Sequence, residues 1–267
     1  SFDKLSRRIP VAKISEPRIH SDIELFVSRE LERCSGSDQF LQGLKAGILR
    51  RARNSFLWAK LALREIMDCH TEAAMTAVLD GIPLDMVELY RLMEQNILAS
   101  IRRVDKPLVK ALIEWTMCAE RSLNVSELSE ALSPEFTGLV DLRMTISRTC
   151  GHFLQVDDAG RIELLHHTAR EYFKSDSSLE VGGEKSHGRL FYKAMSALQD
   201  PNLRISLLEH GRALQERKPY VFYAAACWPY HLEQWGCQRR FLPKALVEFL
   251  RGDSILSWIH CLALSWR

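Results

Sequence analysis

Apolar residues recur at helical spacing along most of the chain. From Ser21 the pattern predicts a first helix, with Ser21 and Glu24 placed as a capping box and Ile23, Phe26, Val27 and Leu31 on one face. A second helix carries Phe40, Leu41, Leu44, Ile48 and Ala52 on one side. A third, Phe56 to Met67, is nearly apolar all round at Phe56-Leu57-Trp58-Ala59, as expected of a helix central to its bundle. Thr71 to Leu79 gives a short fourth helix ended at Gly81 and Pro83. Leu84 to Ile101 gives a long fifth, with Leu89, Tyr90, Met93, Ile97 and Ile101 as its buried stripe. Before Ser21, Val11 to Ile14 alternates like a strand and Pro17 sits in a loop.

The rhythm then changes. Asp105 is placed to cap a helix with Pro107 in its first turn, and Ser122 to Val125 is short enough to be extended. Ser126 is placed to cap Glu127 to Leu132, and a further helix spans Val140 to Thr149. Phe153 to Val156 and Arg161 to Leu165 alternate with period two around the turn Asp157-Asp158-Ala159-Gly160, which predicts a hairpin. Helical spacing resumes at His166. Helix, short strand, two helices, two-stranded wing and helix is the order of a winged-helix unit. Gly182-Gly183 reads as a linker, followed by helices near 187–199, 203–215, 219–235, 240–250 and 254–266. The fold class expected is therefore mainly α. A helical subdomain over 21–104 precedes a winged-helix domain with a small β-wing over 105–176, and a helical linker or sensor-proximal region follows over 177–267.

Charge narrows the function classes. The 36 basic and 34 acidic side chains leave a formal net charge of +2, without the basic surplus that nucleic acid demands. Lys45, Arg50, Arg51 and Arg53 are most simply one solvated helix face. Seven cysteines at positions 34, 69, 118, 150, 227, 237 and 261, with no CxxC pair, suit reduced thiols in a cytoplasmic protein. No apolar run approaches the ~18 residues of a membrane span, so no membrane partner is expected. The absence of an initiating Met and the apolar pattern at the far end read as a fragment of a longer chain.

Several motifs, in order, resemble the regulatory arm of fungal NACHT-type signalling ATPases of the NOD-like STAND class. Ser21-Asp22-Ile23 with Phe26-Val27 is similar to the helix after the last strand of the nucleotide-binding domain. Asn54-Ser55-Phe56-Leu57-Trp58-Ala59-Lys60-Leu61 resembles the family's G-x-F-L-W-A-x-L box. Leu79-Asp80-Gly81-Ile82-Pro83 with Leu89-Tyr90 resembles its L-x-x-L-P…L-Y connector. Glu127-Leu128 with Ala131-Leu132, Cys150-Gly151, His166-x-Thr168-x-Arg170-Glu171-Tyr172-Phe173, and Tyr223-Ala224-Ala225 with Trp228 and His231 continue the series to about residue 235. Asn54 departs from the glycine that heads the box, which weakens the case for close backbone approach to a nucleotide there. The chain also contains no G-x-x-x-x-G-K-[ST], and Gly183 to Gly188 before Arg189 lacks the lysine, the hydroxyl and a preceding strand.

The resemblance makes residues 1–20 the end of a nucleotide-binding domain, a remnant strand and loop. It implies that the P-loop lies upstream and that this chain alone holds no cofactor, with ADP or ATP bound only when that domain is present. The implied partners are intramolecular: the nucleotide-binding domain and a downstream repeat domain, with oligomers confined to the full-length active state. In the wider class the winged-helix histidine contacts the β-phosphate of ADP. The H-x-[ST]-x-x-[DE] spacing gives that role to His166, with Thr168 and Glu171, rather than to His167. An imidazole N–H is a directional donor to phosphate, and a helix N-terminus adds a favourable dipole. The alternative is a histidine that only caps the wing.

Three other classes compete. A DNA-binding winged helix would have only Arg143 and Arg148 on its recognition helix, with Asp157-Asp158 at the wing tip repelling phosphate. Zinc could draw on Cys150, His152, His166 and His167, but their spacing is not a usual one, and no metal site is expected. Hydrolysis would need a G-x-S-x-G elbow or a paired nucleophile. Neither is present, so no catalytic residue is expected. A protein–protein module and an inert truncated product complete the alternatives.

Overall fold

Burial follows the helical spacing closely in the first ninety residues. The computed structural model describes residues 16–236 and 242–265, so the strand expected at Val11–Ile14 lies outside the described residues. The chain divides into two compact units between Tyr90 and Arg91. The first contains α1 (Glu16–Leu31), α2 (Asp38–Ala52), α3 (Phe56–Met67), α4 (Glu72–Gly81) and the start of α5 (Met86–Ser100).

Ile23, Val27 and Leu31 are buried on α1, and Leu44, Ile48 and Ala52 on α2. Ser37, Ser55 and Thr71 cap α2, α3 and α4 through their hydroxyl oxygens, each accepting a backbone N–H three residues on. Two expectations are corrected. Pro17 lies inside α1 rather than in a loop, so Ser21 is a mid-helix residue and not a cap; proline is tolerated in a first helical turn because its missing N–H would be unpaired there anyway. Phe56 is on the exposed side of α3, its ring 4.7 Å from that of Phe26, so α3 is buried on one face and not all round. At Gly47 the two helices approach closely: a Cβ there would meet Leu79 Cδ2 at 2.8 Å, so any larger residue would make the Leu79 side chain shift.

The second unit begins within α5 and holds the expected winged helix: α6 (Lys106–Cys118), α7 (Val125–Leu132), α8 (Leu142–Thr149), β1 (Leu154–Val156), β2 (Ile162–Leu164) and α9 (His167–Ser175). β1 and β2 are antiparallel, with Leu154 opposite Leu164 and Val156 opposite Ile162. The turn closes as its residues require. Gly160 takes φ +80°, and Asp157 accepts both the Arg161 amide and its guanidinium at 2.7 Å. The segment before α7 is extended and joins the wing, with Asn124 bridged to Arg161 and the Ile162 amide bound to the Leu123 carbonyl.

Capping in this unit differs from expectation. Asn124, not Ser126, caps α7, in a capping box with Glu127. Asp105 occupies the cap position of α6 in a helical conformation, and its side chain makes no capping bond. Asp141 caps α8 through Met144.

After the wing come α10 (Glu184–Leu198), α11 (Leu203–His210), a 3-10 turn (Gly211–Ala213), α12 (Leu214–Arg217), α13 (Pro219–Gln234), α14 (Lys244–Arg251) and α15 (Ser254–Ser265). Gly183 is the N-cap of α10, and Gly188 lies under Trp235, with space for no side chain. That packing explains the glycine spacing there without a phosphate. Pro229 sits inside α13 and cannot donate to the Ala225 carbonyl one turn back. The Trp258 indole of α15 supplies the missing donor at 2.8 Å. Trp258→Phe is expected to leave that buried carbonyl unpaired and to cost about 1–3 kcal/mol, read as a lower urea midpoint. An unchanged midpoint would mean the bond contributes nothing. Among the described residues, no helix is long and apolar enough to cross a membrane.

Candidate functional site

His166 stands between β2 and α9 in extended backbone, φ −156° and ψ 151°, as the N-cap of α9. A histidine can cap a helix only with an unprotonated ring nitrogen, because the first-turn amides are donors. Nδ1 takes that part, accepting the Thr168 amide at 3.3 Å with the Thr168 hydroxyl 2.9 Å away. The ring proton is thereby placed on Nε2, which is left as a donor.

His166 is half-buried, and its pKa is pushed down by burial and then by His167, with Glu171 opposing. It is therefore a neutral donor near pH 7. His167 is exposed, its ring 4.2 Å from that of His166. A cavity of about 410 Å³ beside it is lined by Trp115, Arg121, Ser122, Glu163, His167 and Arg170, and His166 is not in its wall.

The rest of the motif is tied to the helices beneath it. Arg170 donates through Nη1 to the Met117 carbonyl at the end of α6, where a cation also meets the negative end of the helix dipole. Tyr172 donates to Glu94 Oε2 at 2.7 Å, and Glu94 Oε1 accepts the Ser178 amide at 2.9 Å and the Ser178 hydroxyl. Phe173 packs edge-on against Phe153 beneath the wing. His166 thus sits at the head of a helix whose next turns are fixed to α5, α6 and the wing.

Elsewhere the recognised residues also make specific bonds. The Trp58 indole of the third-helix box donates to the Pro83 carbonyl at 2.8 Å, and Arg51 of α2, expected on a solvated face, donates to the Ile82 carbonyl at 2.6 Å, so both hold the connector. Asn54 has φ 64°, a left-handed conformation that glycine adopts freely and asparagine tolerates best among the others. Tyr223 and His231 join a buried chain with His187.

Sequence reasoning missed Glu94, Glu114 and His187. Glu94 had a signal: it lies four residues after Tyr90 and three before Ile97, on the buried stripe of α5. Glu114 is buried on α6, where Arg189 and the Ser186 hydroxyl, 2.6 Å away, bind it.

The rival residue sets are also placed. Cys150 is buried beneath the wing, its thiol pushed up to about 12 by burial with the Thr149 hydroxyl opposing. Among the described residues no group of three or more His, Cys, Asp or Glu side chains is arranged to hold a metal ion, so Cys150, His152, His166 and His167 do not converge on one. The described cysteines are free thiols, and Cys237 lies outside the described residues. On α8, Arg143 turns to the Asp157 carbonyl at 3.2 Å.

Residues 94–183 match the family model described as GPI inositol-deacylase, winged helix domain. The match covers about a third of the chain and begins and ends close to the Glu94–Tyr172–Ser178 cluster. No curated protein matches the chain, and no solved structure does.

Proposed function

We propose that this chain is the regulatory arm of a NACHT-type signalling NTPase. Its winged-helix segment packs on a nucleotide-binding domain, holds the ADP state closed and releases when ATP replaces ADP. The observation that carries this reading is the cap geometry of His166: the Thr168 amide lies 3.3 Å from Nδ1, which makes Nδ1 the acceptor and leaves Nε2–H as a donor held in one direction by the helix it caps. A neutral donor discriminates by geometry, and a phosphate oxygen at hydrogen-bond distance suits it. Arg170 and Tyr172 support the reading by anchoring α9, because a donor reports domain position only if its own position is rigid.

The arm works within a longer protein. ADP or ATP belongs to the nucleotide-binding domain, and catalysis is assigned to no residue of this segment. The matched family's name carries a hydrolytic activity, but no G-x-S-x-G elbow occurs in these residues. Neither zinc nor DNA enters the reading.

His166→Asn is the discriminating substitution, because asparagine is among the best N-caps yet lacks the distant ring N–H. In the protein that joins this segment to its nucleotide-binding domain, His166→Asn is expected to keep the melting temperature, weaken ADP binding about tenfold or more, and raise the oligomeric fraction. Unchanged ADP affinity and oligomeric state would make His166 a cap and nothing else.

A further inference from the structure

A second group of histidines is shut away from solvent in the carboxy-terminal half. His231 of α13 is fully buried, Tyr223 of the same helix equally so, and His187 of α10 is 8% exposed. Four groups stand in line. The Glu120 amide, in the loop after α6, donates to the Tyr223 hydroxyl oxygen at 3.2 Å. Tyr223 lies 2.9 Å from His231 Nε2, and His231 Nδ1 lies 3.2 Å from His187 Nδ1.

The direction of the bonds follows from burial. Tyr223 is shut away from solvent, and of its two partners the Glu120 N–H can only donate, so His231 Nε2 is the acceptor for the hydroxyl proton. His231 then carries its ring proton on Nδ1 and gives it to His187 Nδ1, so His187 is protonated on Nε2. Neither His231 Nε2 nor His187 Nδ1 has a vacant lone pair. A further proton on His187 Nδ1 sets it against the His231 Nδ1–H, and one on His231 Nε2 leaves the buried Tyr223 proton without its acceptor, so either ends a bond of the chain.

We propose that the Glu120–Tyr223–His231–His187 chain is an acid-opened clasp, joining the loop after α6 to helices α10 and α13. Glu120 belongs to the segment matched as a winged helix, whereas the whole of α10 and of α13 lies outside it. Opening the clasp therefore loosens the winged helix from the helices that follow.

The surroundings favour the neutral, closed form. His187 is faced by Lys174 of α9, Glu114 of α6 and Tyr230 of α13. Tyr223 is faced by Arg121, whose guanidinium lies 5.2 Å from the ring centroid, by Glu120 and by Cys227. Tyr230, against both imidazoles, is faced in turn by Cys118, Glu120, Arg170 and Glu233. Glu127 of α7 holds Arg121. Burial and then His187 hold His231 down at about 4, and burial and then Lys174 lower His187. A histidine with a lowered folded pKa contributes stability that is complete above its unfolded value near 6.5 and is lost as pH falls towards 4.

The test uses the full 267-residue chain. Nitrogen-15 spectra at neutral pH should show His231 as the Nδ1–H tautomer and His187 as Nε2–H. Hydrogen exchange at the Glu120 amide, corrected for its intrinsic pH dependence, should lose protection more than about tenfold between roughly pH 7 and pH 5. Helical circular dichroism should stay constant over that range. Tyr223→Phe, which removes only the hydroxyl, should leave Glu120 weakly protected at both pH values. Constant wild-type protection, or an equal acid-dependent loss in Tyr223→Phe, would overturn the clasp. If that variant fails to fold, the tautomers decide, since an Nε2–H His231 reverses the chain and overturns the proposal as well.

Discussion

Trp58→Ala is expected to destabilise the first unit by about 4 kcal/mol, a large fraction of the stability of an ordinary folded unit. Trp58 is 2% exposed on α3, among Ala59, Leu61, Ala62 and Ile66, which are equally buried. Truncation removes a bicyclic ring from a packed interior and leaves a cavity that helices fixed at both ends cannot close. It also strips the Pro83 carbonyl of the indole donor 2.8 Å away, loosening the turn between α4 and α5. Trp58→Phe fills much of the volume and loses mainly the bond, so about 1–2 kcal/mol is expected. Amide exchange within α2 and α3 under mild urea checks both values. A loss below about 1 kcal/mol for the alanine variant would show that the ring packs loosely.

Glu94→Ala is expected to remove about 3 kcal/mol from the second unit. The carboxylate is 3% exposed and accepts from the Tyr172 hydroxyl, the Ser178 amide and the Ser178 hydroxyl. Burying it is tolerable only because these donors replace water. Alanine deprives them all, and the Tyr172 ring is 2% exposed, so its hydroxyl has little water to turn to. The same bonds hold Tyr172 with its pKa raised above the usual tyrosine value, by burial first and then by the Glu94 bond, so the phenol stays a donor throughout the neutral range. Glu94→Gln keeps an acceptor and should cost less than half as much. Urea unfolding followed by tryptophan fluorescence reports on this unit, which carries every tryptophan except Trp58. Equal losses for alanine and glutamine would mean that shape matters here and the acceptors do not.

The two residues mark the limits of legibility. Trp58 lies in a run whose apolar spacing announced a buried helix, and α3 matches the expected Phe56–Met67 span. The wing was legible for a different reason, since the period-two alternation and the Asp157–Gly160 turn admit few other shapes. Glu94 was missed although its place on the buried stripe of α5 signalled burial, because the donors that make a buried carboxylate tolerable there could not be read from the stripe. Tyr172 and Ser178 lie about eighty residues away in sequence. The cap of α7 was misplaced by two residues because Ser126 and Asn124 are both good caps, and only the extended pairing with Arg161 selects Asn124.

The candidate site divides in the same way. Spacing singled out His166 at the head of a helix, because a switch from period two to helical period is a local property of the chain. Which ring nitrogen holds the proton is not local in that sense. It depends on the Thr168 amide being turned towards Nδ1, which happens only once α9 is formed and anchored through Arg170 and Tyr172. By itself, then, the sequence determined most of the helices, the wing and their order, since each element's periodicity states which of its own faces is buried. The single helix expected over 203–215 is instead broken at Gly211, φ +51°, into α11 and α12. The tertiary structure alone decided which polar groups those faces meet: Glu94 with Tyr172, Trp258 with the carbonyl freed by Pro229, and His231 between Tyr223 and His187. Periodicity records that a face leaves water, but a hydrogen bond needs a partner's position, and the partner comes from a distant stretch of chain.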